Sequence, residues 1–361
     1  MKRIILILSV FVLFISAKTQ PPAGYYDAAN GLTGAPLKTA LYNIIKNHTV
    51  RTYPLWSWYD DTDLQPAPAV NKIWDIYTDN CNFTFGPSSS GGNQCGNVGT
   101  TTCICYNNEH SFPKSWFGDV SPMNSDIFHI YPTDGKVNGV RSNFPYGETS
   151  TGTTWGNGKI GFCTYPGYTG TVFEPADQYK GDLARTYFYM ATRYENVIAS
   201  WEHDDANGDA IMNGTSYPAF ETWFLNLLLK WNAQDPVSTK EINRNNAIYN
   251  IVQHNRNPFI DHPEWVAAIW GNGSAINDTY SNIFNNISIY PNPSNEMITI
   301  NNLNSNIVSL SIADIVGKII YSASNPSQSL ELNINNYAKG FYFLTVYADN
   351  NQSKTFKFIK D

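Results

Sequence analysis

Apolar residues recur at helical spacing through most of the chain and then alternate with polar ones near its end. Over 37–46, Leu37, Leu41, Ile44 and Ile45 share one face, with Pro36 suited to a first helical turn, so a helix is predicted there. Further helices are predicted over 179–202, 218–232 and 237–253, ahead of a turn-rich stretch at 255–259. Tyr187, Met190 and Tyr194, and Phe224, Leu228 and Trp231, read as core-facing stripes. Residues 56–105 are rich in Asp, Pro, Gly and Ser and read as loops with short strands. Ile127, His129 and Tyr131 alternate with Phe128 and Ile130, a strand pattern that Pro132 ends. Asp134 then stands where it can cap a short helix carrying Asn138 and Arg141, which lie three apart on one face. After Trp270 the pattern changes to short period-two runs separated by Asn, Ser and Gly. Seven of them, within 287–361, predict a small β-sandwich.

These patterns divide the chain into 1–19, 20–270, a small-residue Asn-rich linker at 271–286, and 287–361. The first segment has Lys2 and Arg3 before an apolar run from Ile4 to Ala17, too short for a comfortable membrane span and laid out as a secretory signal. Nothing else approaches a transmembrane segment, so a soluble, exported protein is expected. In that compartment the five cysteines read first as disulfide material. Cys95 and Cys105 flank a Gly/Thr-rich loop and form the candidate bridge; the partners of Cys81, Cys103 and Cys163 stay open. Zinc is disfavoured, since Cys103 and Cys105 are spaced more tightly than a usual ligand pair and no matching His pair follows.

The chemistry concentrates in 106–148, where Glu109 and His110 are adjacent and Asn138 follows on the short helix. Strand with Glu-His, second strand, helix with Asn is an arrangement able to converge three polar side chains on one metal. Serine-based hydrolysis has no support, because no Gly-x-Ser-x-Gly stretch occurs. Glu202, His203, Asp204 and Asp205 look metal-like, but a solvated loop is the simpler reading. His129 reads as a core histidine, and His48, His203, His254 and His262 as structural or exposed.

Residues 22–270 resemble the bacterial endonuclease I family of ββα-metal nucleases. The resemblance runs through YYDAANGLTGAPLKTALYNII, NNEHSFPKSW, SDIFHIYPTDGKVNGVRSNFPYGE, PGYTGTVFEP, KGDLARTYFYMATRYE and DPVSTKEINRNNAIYN. Residues 287–361 resemble the C-terminal sorting domain of type IX secretion cargo, through YPNPS, SIADIVGKII, AKGFYFLTV and KTFKFIK. The implied fold is α+β: a ββα-metal nuclease core surrounded by helices, followed by a small all-β sandwich. The implied activity is secreted, sequence-nonspecific cleavage of phosphodiester bonds in DNA, with RNA as a further substrate, leaving 5′-phosphate ends.

By the resemblance His110 is the general base, and Glu109 and Asn138 ligate one divalent cation, Mg²⁺ with Mn²⁺ or Ca²⁺ as alternatives. Arg141, Arg185 and Arg256 are the candidate phosphate contacts, with an internal carboxylate an equal reading for Arg141. Asn108 stands where many relatives carry Arg before Glu-His, so that contact is not expected here. The implied partners are nucleic acid and the type IX secretion machinery, the implied state a monomer. The competing class is a surface-displayed binding or adhesion protein on a nuclease-like scaffold.

The charge cuts against a nucleic-acid partner at first sight. The chain has 23 Lys+Arg against 30 Asp+Glu, net −7. Residues 1–19 carry +3 and 281–361 are neutral, so the middle of the chain holds −10. Binding to nucleic acid is therefore expected to be local and modest in salt dependence.

Overall fold

The computed structural model describes residues 21–96, 100–271, 284, 287–303, 307–315, 318–348 and 353–361. The predicted signal segment, 1–19, and all of the predicted linker, 271–286, except Gly271 and Phe284 lie outside them. The chain divides into two compact units at 274/275.

In the first unit, α1 (Gly34–Ile45) buries Leu37, Leu41 and Ile45, as its periodicity predicts. After the short α2 (Tyr59–Thr62), strands β1 (Tyr106–His110) and β2 (Ile130–Asp134) pair antiparallel with Glu109 opposite Tyr131, and β2 leads directly into α3 (Gly135–Arg141). The second strand lies further along the chain than its alternation predicts. Residues 127–129 form a 3-10 turn because the Asp126 carboxylate takes the Phe128 N–H, holding the backbone out of extended form. Pro132 sits inside β2 opposite Asn108, tolerated because a two-stranded sheet has only edge strands.

A second antiparallel sheet, β3 (Thr153–Trp155), β4 (Gly158–Phe162) and β5 (Thr171–Glu174), turns at Gly156-Asn157, where Gly156 adopts φ +57°. A Cβ on Gly156 would collide with the Tyr77 carbonyl, and the Asn157 N–H donates to that same oxygen at 2.8 Å. The turn thus fixes Tyr77, whose hydroxyl reaches the site below.

The rest is helical: α4 (Lys180–Arg193), α5 (Ala206–Asp209), α6 (Thr222–Gln234), α7 (Thr239–Ala247), α8 (Pro258–Asp261) and α9 (Glu264–Trp270). The predicted helix at 179–202 stops at Arg193, and the chain resumes as a 3-10 turn over Ile198–Trp201. Every residue of α4 is buried, because α1, α6, α8 and the 127–129 turn enclose it. α7 opens with a capping box between Ser238 and Glu241 and runs on as a π turn over Ile248–Val252. No described helix is long and apolar enough to cross a membrane.

The second unit has β6 (Ser288–Tyr290), β7 (Met297–Asn301), β8 (Ile307–Ala313), β9 (Ile319–Ser324), β10 (Ser329–Asn333), β11 (Gly340–Ala348) and β12 (Ser353–Lys360). These match the seven predicted runs and form two sheets, ordered β10-β7-β6 and β12-β11-β8-β9. Ile298, Ile300, Leu310, Ile312, Leu344, Val346 and Phe358 form the core of this unit. The larger sheet has unlike edges: exposed Lys354 and Lys357 on β12, exposed Ile319 and Ile320 on β9.

Candidate active site

The end of β1, the start of the loop after it, and α3 enclose a cleft of about 380 Å³. Glu109, His110, Asn138 and Arg141 line it, with Tyr53, Asn108, Lys114, Ser115 and Asn143 around them. The β-ribbon delivers Glu109 and His110, and α3 brings Asn138 beside them because Asp134 caps the helix in register with β2. The Asp134 carboxylate accepts from the Lys136 and Val137 N–H groups at 2.9 Å each, and from the Cys103 N–H at 2.6 Å. Cys103 is bridged to Cys81, and Cys95 to Cys105 as predicted. The Cys105 carbonyl also accepts from the Gly135 N–H at 2.9 Å, so both bridges are tied to the first turn of α3. Cys163 is free and buried.

Each polar group of the cleft is oriented by its neighbours. The Asn138 Nδ2 donates to Asn107 Oδ1 at 2.7 Å and to the Asn108 carbonyl at 3.3 Å, so its Oδ1 is the end turned from β1. Glu109 is 2 % exposed; Tyr77 OH donates to its Oε1 at 2.7 Å and Arg141 Nη1 lies 3.0 Å from the same oxygen. Oε2 is left outside both contacts. Burial pushes the Glu109 carboxyl above the usual range, opposed by Arg141 and by the hydroxyls of Tyr77 and Tyr146. His110 Nε2 lies 3.1 Å from the Asn124 carbonyl, which must accept, so Nε2 carries the proton and Nδ1 the lone pair. Burial, and then the neighbouring His129, push the His110 ring down to about 3.

Two of the three candidate phosphate arginines lie elsewhere. Arg185 is buried, with Nε and Nη2 on the two Glu241 oxygens at 2.6 and 2.9 Å. Arg256 is buried likewise on Asp261 and Asn246. Neither lines the cleft, and both serve as internal struts, which corrects the expectation that they meet substrate. Arg141 does line the cleft, but its guanidinium is buried against Glu109, the carbonyls of His110 and Ser111, and the Tyr146 ring. Of the two roles open to it, a phosphate contact by the resemblance or a partner for an internal carboxylate, the geometry gives it the second, bracing β1 against α3 through Glu109.

His129 is buried, its Nε2 on the Met123 carbonyl at 2.7 Å and its ring 5.3 Å from that of His110. Around 202–205, His203 is exposed, and Asp205 caps α5 and accepts from Asn143 Nδ2 at 2.7 Å, as a loop would. Sequence reading gave no role to Tyr53 and Tyr77, which belong to no motif or periodic stripe, or to Tyr146, which lies within the motif segment without a signal of its own.

A two-stranded ribbon feeding a short helix, with Glu109, His110 and Asn138 on one cleft, defines a nuclease built on a ββα unit. The chain belongs to the Endonuclease I family, whose model matches residues 33–264. It is 40% identical over 255 residues to an extracellular ribonuclease of Bacillus amyloliquefaciens, covering 68% of this chain and 78% of that one. An extracellular ribonuclease of Bacillus subtilis is 38% identical over 271 residues, 72% of this chain and 83% of the relative. Endonuclease-1 of a Buchnera aphidicola subspecies is 29% identical over 139 residues, 38% and 46% of the two chains. Residues 288–361 match the secretion system C-terminal sorting domain, which makes this a secreted or cell-surface nuclease. Family membership favours the enzyme over the surface-binding alternative.

Proposed function

We propose that the chain is a metal-dependent endonuclease that hydrolyses phosphodiester bonds of DNA and RNA without sequence preference, leaving 5′-phosphate ends. The observation that carries this reading is the meeting of Glu109, His110 and Asn138 on one cleft. The donor set suits a hard divalent cation: a carboxylate with Oε2 uncommitted to Tyr77 or Arg141, and an amide turned so that oxygen faces away from β1. Glu109 and Asn138 would hold Mg²⁺, or Mn²⁺ or Ca²⁺ in its place. When bound, the cation would supply Lewis-acid polarisation of the phosphate and stabilise the departing 3′ oxygen.

The chain's own part in the reaction is proton transfer and positioning. His110 Nδ1 takes a proton from the attacking water, and the Asn124 carbonyl holds the ring in the tautomer that leaves Nδ1 open. Its depressed titration keeps the ring neutral across the physiological range. The negative charge of an incoming phosphate favours the imidazolium and so raises its basicity at the moment of use. Arg141 favours the ionised form of Glu109, opposing its burial, and braces β1 against α3. The names of the two Bacillus relatives support RNA as a substrate beside DNA. A monomer is the expected state, which sedimentation would test.

The deciding experiment is degradation of single-stranded DNA, of plasmid DNA and of RNA with Mg²⁺, with and without chelator, by wild type and His110→Ala. Loss of activity with chelator, and loss by about 10²–10⁴-fold in the variant, are expected. Activity indifferent to chelator, or an unimpaired variant, overturns the mechanism.

A further inference from the structure

The cleft holds little exposed positive charge. Lys114 lines it, but its ammonium is 2.7 Å from the Asp119 carboxylate; Arg141 is buried. Substrate must therefore be held there by something other than a row of cations. Tyr53 lines the same cleft with 41 % of its surface exposed, and its ring lies 5.4 Å from the His110 imidazole, tilted by 39°. A tyrosine kept for packing would bury its ring and bond its hydroxyl. This one does neither: no hydrogen bond to its hydroxyl is formed among the described residues.

The flanks of Tyr53 are nonetheless fixed. Two residues before it, Arg51 Nε donates to the Val252 carbonyl at 2.6 Å, and its guanidinium lies 4.6 Å over the Trp58 ring. Two residues after it, Leu55 is fully buried. The backbone thus holds an exposed aromatic face beside the general base. Asn108 lines the same cleft, and Tyr59 OH donates to its Oδ1 at 2.7 Å, which leaves its amide hydrogens as uncharged donors.

We infer that Tyr53 is a stacking platform for an unpaired nucleobase next to the scissile phosphate, with Asn108 Nδ2 donating to a phosphate oxygen, so that the enzyme takes its substrate as a single strand. The inference rests on the nuclease reading and names its substrate form. A base within a duplex is already stacked on both faces and has none to offer, whereas any unpaired base does, whatever its identity. Stacking therefore supplies binding without sequence preference and without cations, which suits an acidic chain.

The test uses the full-length secreted protein and a labelled single-stranded oligonucleotide with one cleavable linkage. The companions are its duplex and a version abasic beside that linkage. Tyr53→Ala is expected to lower kcat/KM on the single strand by about 5- to 140-fold, mainly through KM, the range for losing one stacked base. Tyr53→Phe and Tyr53→Trp are expected to stay within about threefold of wild type, since each keeps a π-face. Wild type is expected to lose the same factor on the abasic strand, where Tyr53→Ala shows no additional loss. The abasic result in wild type reads the platform even if the alanine variant were to fold poorly. A wild-type enzyme that cleaves duplex and single strand equally, or abasic and intact strands equally, overturns the platform while leaving the nuclease reading in place. Losses from Tyr53→Ala and from the abasic site that simply multiply also overturn it. A correctly oxidised wild type inactive on every nucleic acid overturns both.

Discussion

Arg185→Ala would strand the Glu241 carboxylate in the core without its bidentate partner. Truncating one half of a buried pair costs about 3–5 kcal/mol, which urea melts would measure. The kcat/KM of the folded fraction is expected to stay near wild type, since Arg185 lies off the cleft. A variant of normal stability with raised KM would instead return Arg185 to the phosphate. A second buried group gives the fold a pH dependence. Burial pushes the Asp75 carboxyl up from its ordinary 3.8 to about 7, although the Thr78 hydroxyl and the N–H groups of Tyr77 and Asp134 pull the other way. Between those values the native state holds a proton that the unfolded state has released. The favourable contribution is therefore full below about 3.8 and is lost as pH rises through about 7, at a slope of up to about 1.4 kcal/mol per unit from this group. Asp75→Asn should flatten the pH dependence of urea melts between pH 4 and 8, and an unchanged slope would refute the assignment.

At the scale of elements, the helix that carries Asn138 depends on a single cap. Asp134→Ala removes the acceptor for Lys136, Val137 and Cys103 N–H groups, at an expected cost of about 1–3 kcal/mol. Because α3 sets the position of Asn138, activity should fall further than the unfolded fraction accounts for; a loss that tracks unfolding alone would show that β2 positions the helix without its cap. That cap was legible in the sequence, as were α1 and the seven strands of the tail. In each, one face is buried and the residue period records it. β2 was misplaced because the competing interaction is a side chain: Asp126 captures the Phe128 N–H, which alternation of apolar residues does not encode. The sheet β3-β4-β5 was not foreseen, since strands of three to five residues leave little period to read. Of the site, Glu109, His110 and Asn138 were visible as a motif. The fate of Arg185 and Arg256 was not, since one residue type serves a buried carboxylate and a phosphate equally well; only the fold brings Glu241 to Arg185 and Asp261 to Arg256.

For the whole molecule, the placement of those arginines sharpens what an acidic net charge means. Arg141, Arg185, Arg244 and Arg256 are buried beside Glu109, Glu241, Asp63 and Asp261, so four of the chain's cations are out of reach of a polyanion. The logarithm of binding affinity should accordingly fall with log salt at a slope no steeper than about −3, the value for some three phosphate contacts. A slope near −7 would reveal a basic groove outside the cleft, and equilibrium titrations at several salt concentrations would decide. The two hydrophobic cores share no residue, so removing the tail is expected to leave the melting of the nuclease unit unchanged, and calorimetry of the two forms would check it. The tail's larger sheet carries a consequence of its own. The β12 edge carries Lys354 and Lys357 and is partly taken up by Asn292 and Ser294, but β9 presents Ile319 and Ile320 beside backbone groups that no described strand other than β8 takes up. An unguarded edge is a template for adding a strand from another chain. Concentrated solutions of this protein should thus clump from the tail end, and Ile319→Lys should keep them clear.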